Sequence, residues 1–183
     1  MQETQTVLTD SCSFSGIQPA IASLPYPPVA VSAKNPAYAS LLSIDYCGSV
    51  SELSSITQYI NNENRLSFGH CSAARTLLGI AMAEMMHLQK LGQLIRLLGG
   101  SVSFAAKQPN GKMRLWTPEF LTLPDQPLKM IAADIESEQA AANQYRMHMK
   151  MIRDEQVNAV LARIVKDEEY HIMLLKSLLQ EGC

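Results

Sequence analysis

Two short stretches place a glutamate and a histidine three residues apart: Glu84 and His87 in "AEMMHLQKL", and Glu168 and His171 in "DEEYHIMLL". On an α-helix that spacing puts both side chains on one face, one turn apart, so both can reach a single ion. The faces are otherwise apolar. Leu77, Ile80, Glu84, His87, Leu88 and Leu91 form one stripe, and Val157, Leu161, Ile164, Glu168, His171 and Leu175 form the other. Carboxylates are almost never fully buried unless they are paired or bound to a metal. The stripes therefore ask what neutralises their glutamates.

A second pattern repeats upstream of each pair. "ELSSITQY" carries Glu52 and Tyr59 seven apart, and "EQAAANQY" carries Glu138 and Tyr145 at the same spacing. Both copies have a small residue three after the glutamate and end in Gln-Tyr. From Glu52 to Glu84 is 32 residues, and from Glu138 to Glu168 is 30. The chain thus reads as two copies of one helical hairpin, each offering a lone glutamate and then Glu-x-x-His. With 11 glutamates and 4 histidines, chance supplies roughly a quarter of one Glu-x-x-His match. One copy carries little weight; two copies on matching stripes, each behind the same signature, carry a great deal.

Charge bookkeeping names the chemistry. Two divalent cations bring four positive charges, and Glu52, Glu84, Glu138 and Glu168 bring four negative ones. Such a neutral cluster can sit in a dry core where a lone carboxylate would take up a proton. Imidazole and carboxylate together suit iron or manganese with open coordination positions. The sequence therefore predicts that these glutamates, with His87 and His171, converge on two metal ions. Tyr59 and Tyr145, two turns from Glu52 and Glu138, are placed to hydrogen-bond the carboxylates or to carry an electron. Asp45, Asp134, Glu136 and Glu169 are expected to face solvent. His70 and His148 stand outside the repeat and are read as ordinary residues.

Helical segments must position this set. Asn35-Pro36 opens a helix with a capping residue followed by the proline that the first helical position tolerates. That helix is expected to run to Asn62, with Gly48 as a weak point. A polar break, "NENRLSFG", precedes a second helix over 70–98, which Gly99-Gly100 stop. Residues 99–126 interrupt the pattern, with Asn110-Gly111 suited to a tight turn between two short strands. A third helix begins near Pro127, and a fourth follows a very short link capped by Asp154. Short links make antiparallel neighbours, and one long connection joins the pairs. The expected fold is all-α: a ferritin-like four-helix bundle over 35–183 with one crossover. Residues 1–34, rich in Pro, Ser and Ala, are expected to form an extended N-terminal arm, ordered where it packs on the bundle or a neighbouring subunit.

Composition narrows the classes. The chain of 183 residues is 47% hydrophobic, enough for one sizeable core. A net charge of -2 with mixed signs gives no electrostatic footprint for nucleic acid or an anionic membrane. No apolar run approaches the roughly 18 residues of a membrane span, and residues 1–16 have neither the basic nor the apolar region of a secretory signal. Cys12, Cys47, Cys71 and Cys183 form no C-x-x-C pair. They are read as separate small residues in a reducing cytoplasm rather than as a zinc site or disulfide framework.

These motifs resemble the ferritin-like di-metal carboxylate superfamily over about residues 36–180. "ELSSITQY" is similar to the first-helix signature of bacterioferritins and resembles manganese catalases, as does the proline-containing extension. "DEEYHIMLL" is similar to the fourth-helix signature shared by bacterioferritins and rubrerythrins. The resemblance implies Glu84 and Glu168 as bridging ligands, Glu52 and Glu138 as terminal ligands, and His87 and His171 as ligands of one metal each. It also implies that Asp167, which precedes a ligand, orients a histidine. Met85 falls where bacterioferritins place a haem-ligating methionine; Met82, Met85 and Met86 are read here as core filler or contact surface, and haem is not expected. The implied activity is redox chemistry on peroxide or dioxygen by two iron or two manganese ions: catalase-like, peroxidase-like or ferroxidase. An external electron donor and a homo-oligomeric state, dimer or larger, accompany it. Iron storage, or a structural subunit that keeps the fold without catalysis, are the alternatives.

Overall fold

Pro36 at the first helical position and the Asn35 side chain, which accepts from the amides of Ala37 and Tyr38, start helix α1, Pro36–Cys47. The computed structural model of the chain describes residues 12–107 and 111–182. The expected single helix over 35–62 is two. After α1 the chain turns at Gly48, where any Cβ would stand 2.6 Å from the carbonyl oxygen of Ile44. Helix α2, Glu52–Leu66, begins afresh with the Ser51 hydroxyl accepting from the Ser54 amide. The hydroxyls of Ser51 and Ser54 both donate to the Gly48 carbonyl. Serines thus close the broken ladder from the far side, which a periodicity reading across Gly48 does not register. The break also sets Glu52 at the first position of α2. At its other end α2 runs through the expected polar break as far as Leu66, because Asn62 and Glu63 are buried rather than exposed.

Helix α3, Cys71–Leu97, is followed by a two-stranded antiparallel ribbon, β1 (Ala105–Lys107) with β2 (Met113–Leu115). Gly111 has φ +81° between them; Asn110, the other half of the expected turn, lies outside the described residues. Helices α4, Pro127–Met151, and α5, Glu155–Glu181, complete the bundle. Asp154 caps α5, its carboxylate accepting from the amides of Gln156 and Val157. Helix α2 packs mainly on α3 and α4 mainly on α5, with α3–α5 and α2–α4 contacts closing the bundle. This is the expected all-α ferritin-like four-helix bundle, with α1 as an added helix.

Two apolar layers stack along the bundle. One joins Leu42 of α1, Leu91, Leu94 and Ile95 of α3, and Val157, Leu161 and Ile164 of α5. The other joins Tyr59 and Leu66 of α2, Leu77 and Ile80 of α3, and Leu175 and Leu178 of α5. Residues 84–87 of α3 and 168–171 of α5 fall between the two layers. No helix among the described residues is long and apolar enough to cross a membrane.

Residues 12–35 form neither helix nor strand, yet they are tied to the bundle throughout; residues 1–11 of the expected arm lie outside the described residues. The Ala20 amide donates to the Gly79 carbonyl at 2.8 Å and the Asn35 amide to the Leu98 carbonyl at 2.9 Å. Cys12 and Cys71 form a disulfide, which corrects the reading of the cysteines as separate residues. The two are 59 positions apart, so no local spacing advertised the bond. With the bond present, cysteine usage no longer argues for a reducing compartment.

Candidate metal centre

The six predicted ligands come together. Glu52 from α2, Glu84 and His87 from α3, Glu138 from α4, and Glu168 and His171 from α5 are all 2% exposed or less. They form two overlapping groups: Glu52, Glu84, His87 and Glu168, and Glu84, Glu138, Glu168 and His171. Within each group, one ligand atom from each residue lies within 4.8 Å of the others. Glu84 and Glu168 belong to both. His87 Nδ1 is 3.0 Å from Glu84 Oε2, 3.4 Å from Glu168 Oε1 and 3.6 Å from Glu52 Oε2. His171 Nδ1 is 3.0 Å from Glu84 Oε1, 3.3 Å from Glu138 Oε2 and 3.7 Å from Glu168 Oε2.

The outward nitrogens of both rings are fixed by acceptors. His171 Nε2 lies 2.8 Å from the Ala20 carbonyl, which can only accept, so this nitrogen carries the proton. His87 Nε2 lies 3.1 Å from Asp167 Oδ2. Burial alone would raise Asp167, but hydrogen bonds from His87, Tyr26, Arg163 and the Ala22 amide hold it at about 2. It is a carboxylate and accepts. Each imidazole therefore keeps Nε2–H outward and turns Nδ1 into the cluster, the orientation a metal ligand requires.

The tyrosines connect the two halves of the chain. Tyr59 of α2 donates to Glu138 Oε1 and Tyr145 of α4 donates to Glu52 Oε1. The preceding glutamines reach buried acids. Gln58 Nε2 donates to Asp134 Oδ1 at 2.7 Å, joined there by Asn62. Gln144 Nε2 donates to Asp45 Oδ1 at 2.8 Å, and His148 Nδ1 lies 2.8 Å from Asp45 Oδ2. Asp45 and Asp134 are thus buried, against expectation, and His148 is paired with Asp45. Amide and imidazole partners contributed from distant segments make their burial tolerable. Glu136 and Glu169 are exposed, as expected.

Proton accounting tests whether ions fit here. Burial pushes Glu52 well above the ordinary carboxylate range, and the adjacent Glu84 adds to it. Burial together with Glu168 and Glu84 does the same to Glu138. Glu84 lies below that range because His87 and neighbouring hydrogen bonds outweigh burial, and Glu168 is likewise lowered by hydrogen bonds from Glu138 and the two histidines. Both histidines are raised well above the usual imidazole value, against burial, by the glutamates around them. The raised groups favour their protonated forms, which lessens the cluster's negative charge as cations would. Glu84 Oε1 and Glu168 Oε1 are buried and make no well-aligned hydrogen bond, though His171 Nδ1 and His87 Nδ1 stand 3.0 and 3.4 Å away. An oxygen- and nitrogen-donor set with such carboxylate oxygens between two histidines fits a pair of divalent ions.

Tyr26, Arg163 and the backbone of Ala20 and Ala22, which orient the rings from outside, were missed in the sequence. Arg163 is four residues before Asp167 and sits 2.6 Å from it; that helical spacing was the available signal. The segment containing Ala20 and Tyr26 is more than 140 positions from its partners and gave none.

The ferritin-like domain model matches residues 71–182. Among solved structures, KatB, a manganese catalase from Anabaena, superposes with a TM-score of 0.76 at 24% identity, covering 88% of this chain and 80% of that one. A Rhodobacter capsulatus bacterioferritin superposes with a TM-score of 0.67 at 19% identity, and the Mycobacterium tuberculosis bacterioferritin BfrA with 0.66 at 24%; both cover 81% of this chain and 87% of their own. At these identities the likeness is one of fold. No curated protein matches the sequence.

Proposed function

From the premise that this chain belongs to the ferritin-like domain family, we propose that it is a di-iron or di-manganese oxidoreductase acting on peroxide or dioxygen. Glu52, Glu84, His87, Glu138, Glu168 and His171 would hold the ions, with Glu84 and Glu168 shared between them. The observation that carries the reading is the pair of imidazoles whose Nε2–H groups are engaged outward, at Ala20 and Asp167, while each Nδ1 faces three of the four buried carboxylates.

Bound iron or manganese would supply Lewis acidity and a reversible change of oxidation state. The chain's own residues do the rest. Tyr59 and Tyr145 hold Glu138 and Glu52 by their hydroxyls and are the nearest phenols from which an electron could come. Asp167 fixes the tautomer of His87, and the apolar layers above and below keep bulk water from the carboxylates. On the α2–α4 side a cleft of about 280 Å³ is lined by Ser51, Ser54, Gln58 and Ser137, sequence neighbours of Glu52 and Glu138. Its serine hydroxyls offer hydrogen bonds to a small polar molecule, beside the apolar Val50, Phe120, Ala133 and Ala140.

Metal analysis of natively purified protein, followed by peroxide consumption and oxygen release with manganese or iron loaded, tests the reading. The expected result is about two ions per chain and peroxide consumed. Oxygen release by the manganese form alone assigns the catalase branch. Consumption dependent on an added reductant assigns the peroxidase branch. Iron oxidised once and retained, with no turnover of peroxide, leaves a storage protein, and absence of bound metal leaves a structural subunit.

A further inference from the structure

Segment 12–35 runs parallel to α3 and is pinned at three places along it. The Cys12–Cys71 disulfide holds it at the start of the helix, the Ala20 amide on the Gly79 carbonyl in the middle, and the Asn35 amide on the Leu98 carbonyl at the end. Between these points it lies across the outer side of the candidate metal centre. The Ala20 carbonyl takes the Nε2–H of His171. The Ala22 amide donates to Asp167 Oδ1 at 2.7 Å and the Tyr26 hydroxyl to Asp167 Oδ2 at 2.5 Å, and Asp167 in turn takes His87. Arg163 ties the segment to this carboxylate: Nη1 reaches Asp167 at 2.6 Å, Nη2 the Ala22 carbonyl at 2.8 Å, and Nε the Leu24 carbonyl at 3.0 Å. Both candidate ligand histidines are thus oriented by a stretch of chain with no secondary structure of its own.

Such a stretch opens at low cost unless something holds it, because it has few mutually supporting backbone bonds. Gly79 is what lets it lie close: a Cβ there would stand 3.2 Å from the Gln18 carbonyl oxygen. The disulfide fixes the start of the described segment, joining a buried Cys12 to an exposed Cys71.

We propose that segment 17–26 is a strap over the metal centre and that the Cys12–Cys71 disulfide is its redox latch. Closed, the strap holds Ala20 on His171 and Tyr26 on Asp167 and retains the ions; reduced, it lifts and the ions exchange. The latch is opened by a dithiol reductant. One of its thiolates attacks a sulfur of the disulfide to form a mixed disulfide, and its second thiol resolves that bond. The reductant leaves as a disulfide, and Cys12 and Cys71 remain as thiols, two electrons and two protons having passed to them. The inference rests on the proposed reading of the six-residue cluster as a metal site.

The test uses the full-length protein loaded with manganese, with the disulfide intact or reduced by dithiothreitol, and challenged with a chelator. Metal release is read by atomic absorption, and opening of 17–26 by backbone hydrogen exchange. Loss of partners that orient ligands typically weakens metal binding by about 10- to 100-fold. Reduction is expected to speed release by a factor in that range, to speed exchange at the Ala20 and Ala22 amides, and to be reversed by reoxidation. Cys71→Ser should release quickly in either redox state. Gly79→Leu, which keeps the disulfide but crowds the strap, should do so with the latch closed. Equal release rates for oxidised and reduced protein would overturn the latch while leaving the metal reading intact. Faster release with unchanged exchange in 17–26 would overturn the strap as its route. An oxidised protein that takes up no manganese and no iron would overturn the metal reading itself, and the latch with it.

Discussion

Tyr59 on α2 donates its hydroxyl to Glu138 on α4, 79 positions away. Tyr145 on α4 returns the arrangement by donating to Glu52 on α2. Each half of the internal repeat thus supplies the tyrosine that holds the other half's lone glutamate, and the Gln-Tyr ending of the two signatures is an exchange between hairpins. Replacing either phenol with phenylalanine leaves a buried carboxylate oxygen without a donor, a loss of about 1–3 kcal/mol. Tyr59→Phe and Tyr145→Phe should each lower stability by that order in denaturant unfolding, and each should weaken metal uptake. The two losses should be similar, because the environments are related by the repeat. A Tyr59→Phe protein with wild-type stability and metal affinity would remove this role.

Metal binding should release protons. Burial and neighbouring carboxylates raise Glu52 and Glu138, and the surrounding glutamates raise His87 and His171 against burial. Protons held by these groups must leave when ions enter, so binding should release protons and affinity should climb with pH. Titration with manganese in buffers of different ionisation enthalpy counts the protons. Affinity independent of pH between 6 and 8 would contradict the assignment.

Asp154 should shape the acid limb of the stability curve. Burial raises its carboxyl, but the Ser32 and Val157 amides, the Ser32 hydroxyl and the Gln156 amide outweigh it and hold the group below the ordinary value. A group depressed in the folded state stabilises it above the unfolded value, near 3.9 for aspartate, and loses that contribution as pH falls through the folded value. Asp154→Ala should cost about 1 kcal/mol at neutral pH, as loss of a helix cap does, and flatten the decline in stability below pH 4. An unchanged acid limb in the variant would contradict this.

Self-association is expected to centre on α3. Met85 is 46% exposed and Leu97 43%, and with Leu88 and Val102 they line a groove of about 790 Å³ on the outer face of that helix. Sedimentation should show a dimer or larger assembly of this chain at micromolar concentration, and Leu97→Glu should shift it towards monomer. A monomeric wild-type protein would contradict the expectation.

The bundle and the convergence of the six candidate ligands were legible because both rest on helical period. Glu-x-x-His at one-turn spacing and the repeated Glu-to-Tyr interval specify faces, and faces specify what meets in the middle. The break at Gly48 was less so, since it depends on serine hydroxyls taking over a carbonyl that the helix would otherwise use. Asp45, Asp134 and His148 misled because an acid on a helix reads as solvent-facing until its partner is known, and Gln58, Asn62 and Gln144 give no such signal in isolation. The disulfide and the contacts of Ala20, Ala22 and Tyr26 were beyond a local reading. They join an aperiodic segment to helices 59 to 151 positions away.

The most direct test of the account is a crystal of natively purified protein measured at the iron and manganese absorption edges. Two anomalous peaks are expected about 3.5–4 Å apart, one among Glu52, Glu84, His87 and Glu168 and the other among Glu84, Glu138, Glu168 and His171, with both histidines bound through Nδ1. A cluster with no anomalous signal after loading with either metal, or a signal only at residues outside these six, would contradict it.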